Sequence, residues 1–279
     1  MSDPRPDEGT RGKRGRGIEP APSGASARYV YGIVPCETGE AADLGCVGLE
    51  GARVYVVVWR RIGALVHDCL AEPYDSGNDA VAATWVLAHH EVLQLAMTRW
   101  RAVLPVPLNT IIAPSAEKSA HENLLAWLEV EHDRLRERLD DVQGKAEYGL
   151  QVSYTPAALL RKIAGELPEV QRLQAEGEAK PSGIAYLYRE QLERLLRRET
   201  ERRVRELFTA VYERARACAE RVQVEKNKND GSDLRMAVNL SCLVALERYP
   251  ELKALADEIA GHEGHAVRLV GPLPPYSFC

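Results

Sequence analysis

Phenylalanine is nearly missing from this chain, with 2 in 279 residues, and methionine stands at 3. A core of stacked phenylalanines or pliable methionines is therefore excluded. Aliphatic layers are expected instead, with the 11 tyrosines at their margins. No apolar run approaches the roughly 20 residues of a membrane-spanning helix, so membrane insertion is not expected. The first residues lack an apolar stretch and do not read as a secretory signal. Neither sign of charge is in excess. The 36 basic and 41 acidic residues leave a net charge of −5, which carries no nucleic-acid footprint. Cys36, Cys46, Cys69, Cys218, Cys242 and Cys279 form no C-x-x-C pair. They read as reduced, mostly buried thiols of a cytoplasmic protein.

Catalytic signatures are also missing. Gly45, Gly48 and Gly51 precede a strand and do not link a strand to a helix, so they lack the setting of a dinucleotide loop. No phosphate-cradling loop, nucleophile elbow or H-E-x-x-H occurs. His89 and His90 are neighbours on a helix and diverge by about 100°, so they cannot share one metal. His262 and His265, beside Gly261 and Gly264, are a conceivable pair of metal ligands. Solvated turn histidines are the plainer reading. His121 and His132 are expected on the exposed side of a charged helix. No catalytic group, cofactor or metal is expected.

Strands and helices alternate along the chain. Residues 1–27 are rich in Gly, Pro and charge, include the basic cluster RGKRGRG, and cannot bury enough surface to order alone. Arg28–Val34 reads as a strand, followed by a Gly-rich loop with Gly39, Gly45, Gly48 and Gly51. Val54–Trp59 and Ile62–His67 read as a hairpin turning at Arg60-Arg61. A helix is expected over Asp79–Trp100, facing inward through Val81, Trp85, Ala88, Val92 and Leu95. Val103–Val106 is extended, and Pro105 suits it to an edge. Ser115 is expected to cap a helix that buries Leu124, Leu128, Leu135 and Leu139. Tyr148–Tyr154 alternates as a strand and is taken to complete this first layer, with helices on one face.

Pro156 opens a junction that runs through Pro181 and contains some helix. A long amphipathic helix is then expected over Tyr186–Val222. Its outer face pairs Glu190–Arg194, Glu193–Arg197, Glu199–Arg203 and Glu201–Arg205 at i, i+4. A helix of this kind either packs on its own sheet or offers Leu192, Leu196 and Leu207 to a partner. Lys226–Gly231 is turn-rich. Arg235–Ala245 alternates as a half-buried strand, then a helix over Glu247–Ala260 and a strand over Ala266–Val270 close the pattern. The class is α+β. Two domains are expected, 28–155 and 156–279, each a small mainly antiparallel sheet with helices packed on it.

The last residues, Gly271-Pro-Leu-Pro-Pro-Tyr-Ser-Phe278, cannot form α-helix, because proline lacks an N–H and restrains its predecessor. Read alone, Gly271, Pro272, Pro274, Pro275, Tyr276, Ser277 and Phe278 make a strap whose rings plug an apolar gap. The same residues resemble the closing motif of the gas vesicle accessory protein F/L family, a Gly-Pro-aromatic-Pro-Pro-Tyr-Ser-Phe ending. Three further stretches resemble that family in order: Tyr29–Val34, Val103–Val106 after the helix carrying His90-Glu91, and Ser182-Gly-Ile-Ala-Tyr-Leu187. The chain departs from the pattern at Leu273, at Arg189, and at Pro107-Leu108-Asn109-Thr110, where the family has Arg-Phe-Gly-Thr.

The resemblance implies a two-domain protein with ferredoxin-like elements and no catalysis. It also implies partners, namely the hydrophobic gas vesicle shell protein and other accessory proteins. Three readings compete. The first is a non-enzymatic assembly factor in gas vesicle formation. The second is a minor component retained in the shell. The third, from another class, is an enzyme or small-ligand regulator using His90 or the His262/His265 pair.

Overall fold

The computed structural model describes residues 27–37, 43–45, 47–227 and 233–279. The basic arm, Gly39, Cys46 and residues 228–231 of the turn-rich loop lie outside them. Two antiparallel sheets organise the described residues. The first contains β1 (Ala27–Pro35), β2 (Asp43–Gly45), β3 (Val54–Trp59), β4 (Ile62–Cys69), β5 (Leu104–Pro105) and β6 (Ile111–Ile112). Its order is β2-β3-β4-β1-β5, and β6 also pairs with β1. The β3–β4 hairpin turns on Arg60-Arg61, with Trp59 opposite Ile62. Arg60 has φ of 54°, the left-handed conformation that short hairpin turns use. Pro105 occupies an edge strand, where no ladder donor is needed.

Helices cover both faces of this sheet, which corrects the expectation of one. Tyr29, Tyr31, Val54 and Leu65 pack with Trp85, Val92, Leu93 and Ala96 of α1 (Asp79–Trp100). Val30, Val57, Ile62, Ala64 and Val66 pack with Leu124, Leu128, Leu135 and Leu139 of α2 (Ala120–Val142). The cause is visible in Val54-Tyr-Val-Val-Val-Trp59, which is apolar at both parities, as a strand buried on two sides must be. The inner stripe of α1 also differs from expectation. Val81 and Leu95 are exposed, and His89, Leu93 and Ala96 are buried beside Trp85 and Val92. A polar residue inside the stripe shifted the apparent periodicity. Ser119, not Ser115, caps α2. Its hydroxyl accepts from the Glu122 N–H while the Glu122 carboxylate accepts from the Ser119 N–H, a reciprocal capping box. Ser115 accepts from the Lys118 N–H in the preceding turn.

The second sheet contains β7 (Lys145–Tyr154), β8 (Arg221–Val224), β9 (Arg235–Ala245) and β10 (His265–Leu273), ordered β10-β7-β9-β8. The strand expected to finish the first layer, β7, is thus central to the second. It pairs with β9 along its whole length, from Lys145 opposite Ala245 to Tyr154 opposite Arg235. The first sheet ends in the two-residue strands β5 and β6 and offers no such partner. The expected junction is two helices, α3 (Pro156–Glu166) and α4 (Pro168–Glu178), each opening on proline, where the missing N–H costs no helical bond. The long helix α5 spans Ser182–Cys218, so Val222 belongs to β8. With α6 (Tyr249–Ala260) it covers one face, where Val211, Ala215, Cys218, Leu252 and Leu255 meet Leu240, Cys242 and Val244.

The opposite face of β9, expected to be wet, is buried as well. Leu243 joins the α2 cluster, and Asn239 and Ser241 are covered beside it. A core cluster lined by α2 therefore joins the two sheets. On α5, Glu190–Arg194 forms as expected, but Arg202 pairs with Glu199 and Glu206, and Arg203 reaches Glu166 of α3. Exposed pairs contribute little, so buried aliphatic surface holds this helix.

Candidate functional site

The C-terminal strap begins where β10 turns at Gly271, whose φ is +142°. A Cβ there would stand 2.5 Å from Tyr148 Cδ1 and 2.8 Å from the Glu147 carbonyl oxygen, so only glycine fits. After a cis Gly271–Pro272 peptide, Leu273 pairs again opposite Glu147. Pro274 and Pro275 lead into one 3-10 turn over Tyr276–Phe278. The prolines exclude an α-helix but leave room for this single turn. Phe278 is buried, as expected of a plug, whereas Tyr276 is 42% exposed.

Polar contacts fasten the strap to both layers. The N–H and hydroxyl of Ser277 donate to the buried Glu147 carboxylate at 2.7 and 2.8 Å. Ser277 Oγ also lies 3.2 Å from Ser241 Oγ on β9. The Arg221 guanidinium of β8 lies 5.2 Å from the centre of the Phe278 ring. On the other side, the Tyr276 hydroxyl is 2.8 Å from His90 Nδ1, and Gln94 donates to the Pro272 carbonyl at 2.9 Å. Both partners belong to α1. The strap therefore ties a helix of the first layer to three strands of the second.

A second constellation runs from inside the first core to its edge at Tyr74. The Tyr31 hydroxyl accepts from the Leu49 N–H at 2.9 Å and pairs with His67 Nδ1 at 2.8 Å. His67 Nε2 in turn meets the Tyr74 hydroxyl at 2.9 Å. The Tyr29 hydroxyl pairs with His89 Nδ1 at 2.8 Å. Burial pushes both histidines down to about 4, so each is a neutral imidazole near pH 7. It pushes Tyr29 and Tyr74 up to about 12. Tyr29 and Tyr31 depart from the expectation that tyrosines stand at core margins, whereas Tyr55, Tyr74, Tyr154, Tyr212 and Tyr249 are half-buried there.

The other sequence-predicted positions scatter. His89 and His90 diverge into the core and the strap respectively. His262 and His265 have ring centres 6.0 Å apart. Among the described residues, no three His, Cys, Asp or Glu side chains are grouped to hold a metal ion. His132 is half-buried rather than exposed. Leu192 and Leu196 pack against the Ile163, Val170 and Leu173 cluster of α3 and α4, and Leu207 packs toward the second core. The proposed partner face of α5 is thus largely used within the chain. Uncovered apolar side chains lie elsewhere: Val86, Leu87 and Leu95 on α1, and Ile184, Tyr186 and Leu187 at the start of α5. Sequence reasoning did not single out Glu147. Its carboxylate lies between Ala146 and Tyr148 at the start of β7, two residues after Lys145, where it resembles a solvated charge.

A family model for the gas vesicle synthesis protein GvpL/GvpF matches residues 27–279. The chain belongs to the GvpL/GvpF family. It is 29% identical over 245 residues to gas vesicle protein L of Haloferax mediterranei, covering 85% of this chain and 73% of that one. It is 29% identical over 252 residues to gas vesicle protein F of a Streptomyces species, covering 90% and 98%. Its fold matches the crystal structure of gas vesicle protein GvpF from an Anabaena species with a TM-score of 0.71 at 19% identity, over 91% of this chain and 98% of that one. The GvpL/GvpF family is one of gas vesicle proteins and not an enzyme family. One departure from the family pattern has a local explanation. Asn109 stands where the pattern has glycine, and its φ is +64°. Asparagine tolerates that region, and here its side chain brackets the backbone of Tyr74, accepting at 2.8 Å and donating at 3.0 Å.

Proposed function

We propose that this protein acts in gas vesicle formation as a non-enzymatic assembly factor. It binds the hydrophobic shell protein, other accessory proteins, or both, through the outer faces of α1 and α5. The observation that carries this reading is the uncovered apolar surface. Leu87, Ile184, Tyr186 and Leu187 are 59%, 49%, 62% and 54% exposed, although ample core positions exist. Tyr186 and Leu187 also fall inside the Ser182–Leu187 stretch that resembles a motif of the family. The strap Gly271–Phe278 serves the fold and is not the contact. The course β7-α5-β8-β9-α6-β10, with α3 and α4 inserted between β7 and α5, and the order β10-β7-β9-β8 read as a ferredoxin-like element. Antiparallel pairing would hold such a platform rigid while its helices face outward.

Co-expression with a gas vesicle shell protein tests the reading. Shell protein should stay soluble and co-elute on sizing, and Leu87→Ser with Leu187→Ser should abolish this in a folded chain. A well-folded wild-type chain that co-elutes with neither shell nor accessory proteins would refute it. Stoichiometric retention in washed vesicles would instead favour a permanent shell component.

A further inference from the structure

The second sheet ends on one side in β8, which pairs with β9 and, among the described residues, with no other strand. Gln223 lies opposite Ser241 and Val224 opposite Leu240. The Glu225 N–H donates to the Asn239 carbonyl at 2.8 Å, so residues 221, 223 and 225 turn their backbone groups toward β9. By alternation, Val222 and Val224 turn theirs outward, and such an edge is a template for a further strand. On the first sheet the edges are blunted: β2 is 3 residues long with a register shift, and β5 is 2 residues long and includes Pro105. Side chains of β8 alternate as well. Val222 packs on the second core, and Val224 on the same face is 53% exposed. Arg221, Gln223 and Glu225 share the face that carries the strap, where Arg221 Nη1 donates to the Phe278 carbonyl at 3.4 Å and Gln223 donates to Glu225 at 3.2 Å.

We propose that β8 pairs antiparallel with β8 of a second copy of this chain, about a two-fold axis at Gln223. The run Glu220-Arg-Val-Gln-Val-Glu-Lys226 is a charge palindrome. Centred on Gln223, it sets Val222 opposite Val224 of the second copy, Arg221 opposite its Glu225, and Glu220 opposite its Lys226. The symmetry repeats each match, as in any isologous interface. Val222 and Val224 are the residues whose backbone groups face outward, so this register also forms ladder bonds. Axes at Val222 or Val224 would satisfy the ladder too, but they set Arg221 opposite Gln223 or Asn227 and leave its charge unmatched. Opposite charges directly across a strand pair stabilise it and like charges oppose it, so the palindrome selects a copy over other strands. Arg221 keeps donors for this contact, because a guanidinium has five and Nη1 alone reaches Phe278. Pairing also covers Val224 with Val222 of the second copy and makes one continuous sheet of the two. It is independent of what the outer helices bind.

Sedimentation of the full chain at rising concentration tests the pairing. Dimer should appear by about 100 μM, which reaches past the micromolar affinity of weak interfaces. Arg221→Glu and Glu225→Arg each set like charges opposite one another and should weaken self-association by about tenfold. Mixed in equal amounts, the two variants should form a heterodimer as tight as the wild-type dimer, because opposite charges then meet at both positions. Should Arg221→Glu disturb the strap through Phe278, Val224→Pro keeps the test. Its missing N–H takes no bond from β9, so it should melt like the wild type and remain monomeric. A wild-type chain that stays monomeric overturns the proposal. So does a dimer that Val224→Pro leaves intact, or a pair of folded charge variants that fail to rescue each other.

Discussion

Around β1, the first core sets Tyr29, Tyr31, His67 and His89 among its aliphatic side chains. Around β9, the second core is Leu240, Cys242 and Val244 against Val211, Ala215 and Leu255. Both sheets are covered on two faces, yet only one of these cores contains groups that gain charge in mild acid. A buried hydrogen-bonded network specifies partners one by one, whereas aliphatic packing specifies mainly volume. The first layer should therefore be sensitive to protons and the second to lost methylenes.

The sign follows from the shifts. His67 and His89 sit near 4 in the folded chain and near 6.5 when unfolded. The unfolded chain binds more protons between these values, so stability is full above about pH 6.5 and is lost as pH falls toward 4. Going from pH 7 to pH 5 should remove about 4 kcal/mol, roughly half from each histidine. Urea denaturation at the two pH values measures this. A flat profile would break the comparison. The second core offers no counterpart, since burial holds the Cys242 thiol neutral, up at about 12.

Leu255→Ala should cost about 3 kcal/mol by leaving a cavity, and by the same amount at pH 7 and pH 5. Parallel urea titrations would show that constancy, and a cost that changes with pH would mean the cores are not separable. Tyr31→Phe strips a partner from both His67 and the Leu49 N–H and should cost about 2 kcal/mol. Thermal melts should place it well beyond the effect of an exposed tyrosine change such as Tyr186→Phe. Leu87→Ser should leave stability within about 0.5 kcal/mol, because the side chain touches mainly solvent. Its effect should appear only in co-elution with shell protein.

Much of this architecture was legible in the chain, and the gaps have physical causes. The β3–β4 hairpin, the span of α1 and the leucine face of α2 follow from local periodicity and turn chemistry. The placement of β7 does not, because strand pairing between residues 145 and 245 is a long-range choice that local pattern cannot express. Polar residues inside apolar faces misled the reading of α1 and β9, where His89, Asn239 and Ser241 look like solvent positions but are buried. The strap was readable as a strap from its prolines and glycine. Its anchor, Glu147, was not, since a single carboxylate at a strand end resembles a solvated one until Ser277 is seen upon it. The apolar face of α5 was recognised, but whether a partner or α3 and α4 would cover it was not encoded in its spacing.

The central claim is that the C-terminal motif clamps the two layers together while partners meet the outer helices. Ser277→Ala tests it most directly, by removing one of two hydrogen bonds to Glu147 at an expected cost of about 1.5 kcal/mol. Measured as co-elution with gas vesicle shell protein at pH 7, the variant should bind like the wild type while melting at a lower temperature. Unchanged melting together with lost co-elution would contradict the account and make the strap itself the contact.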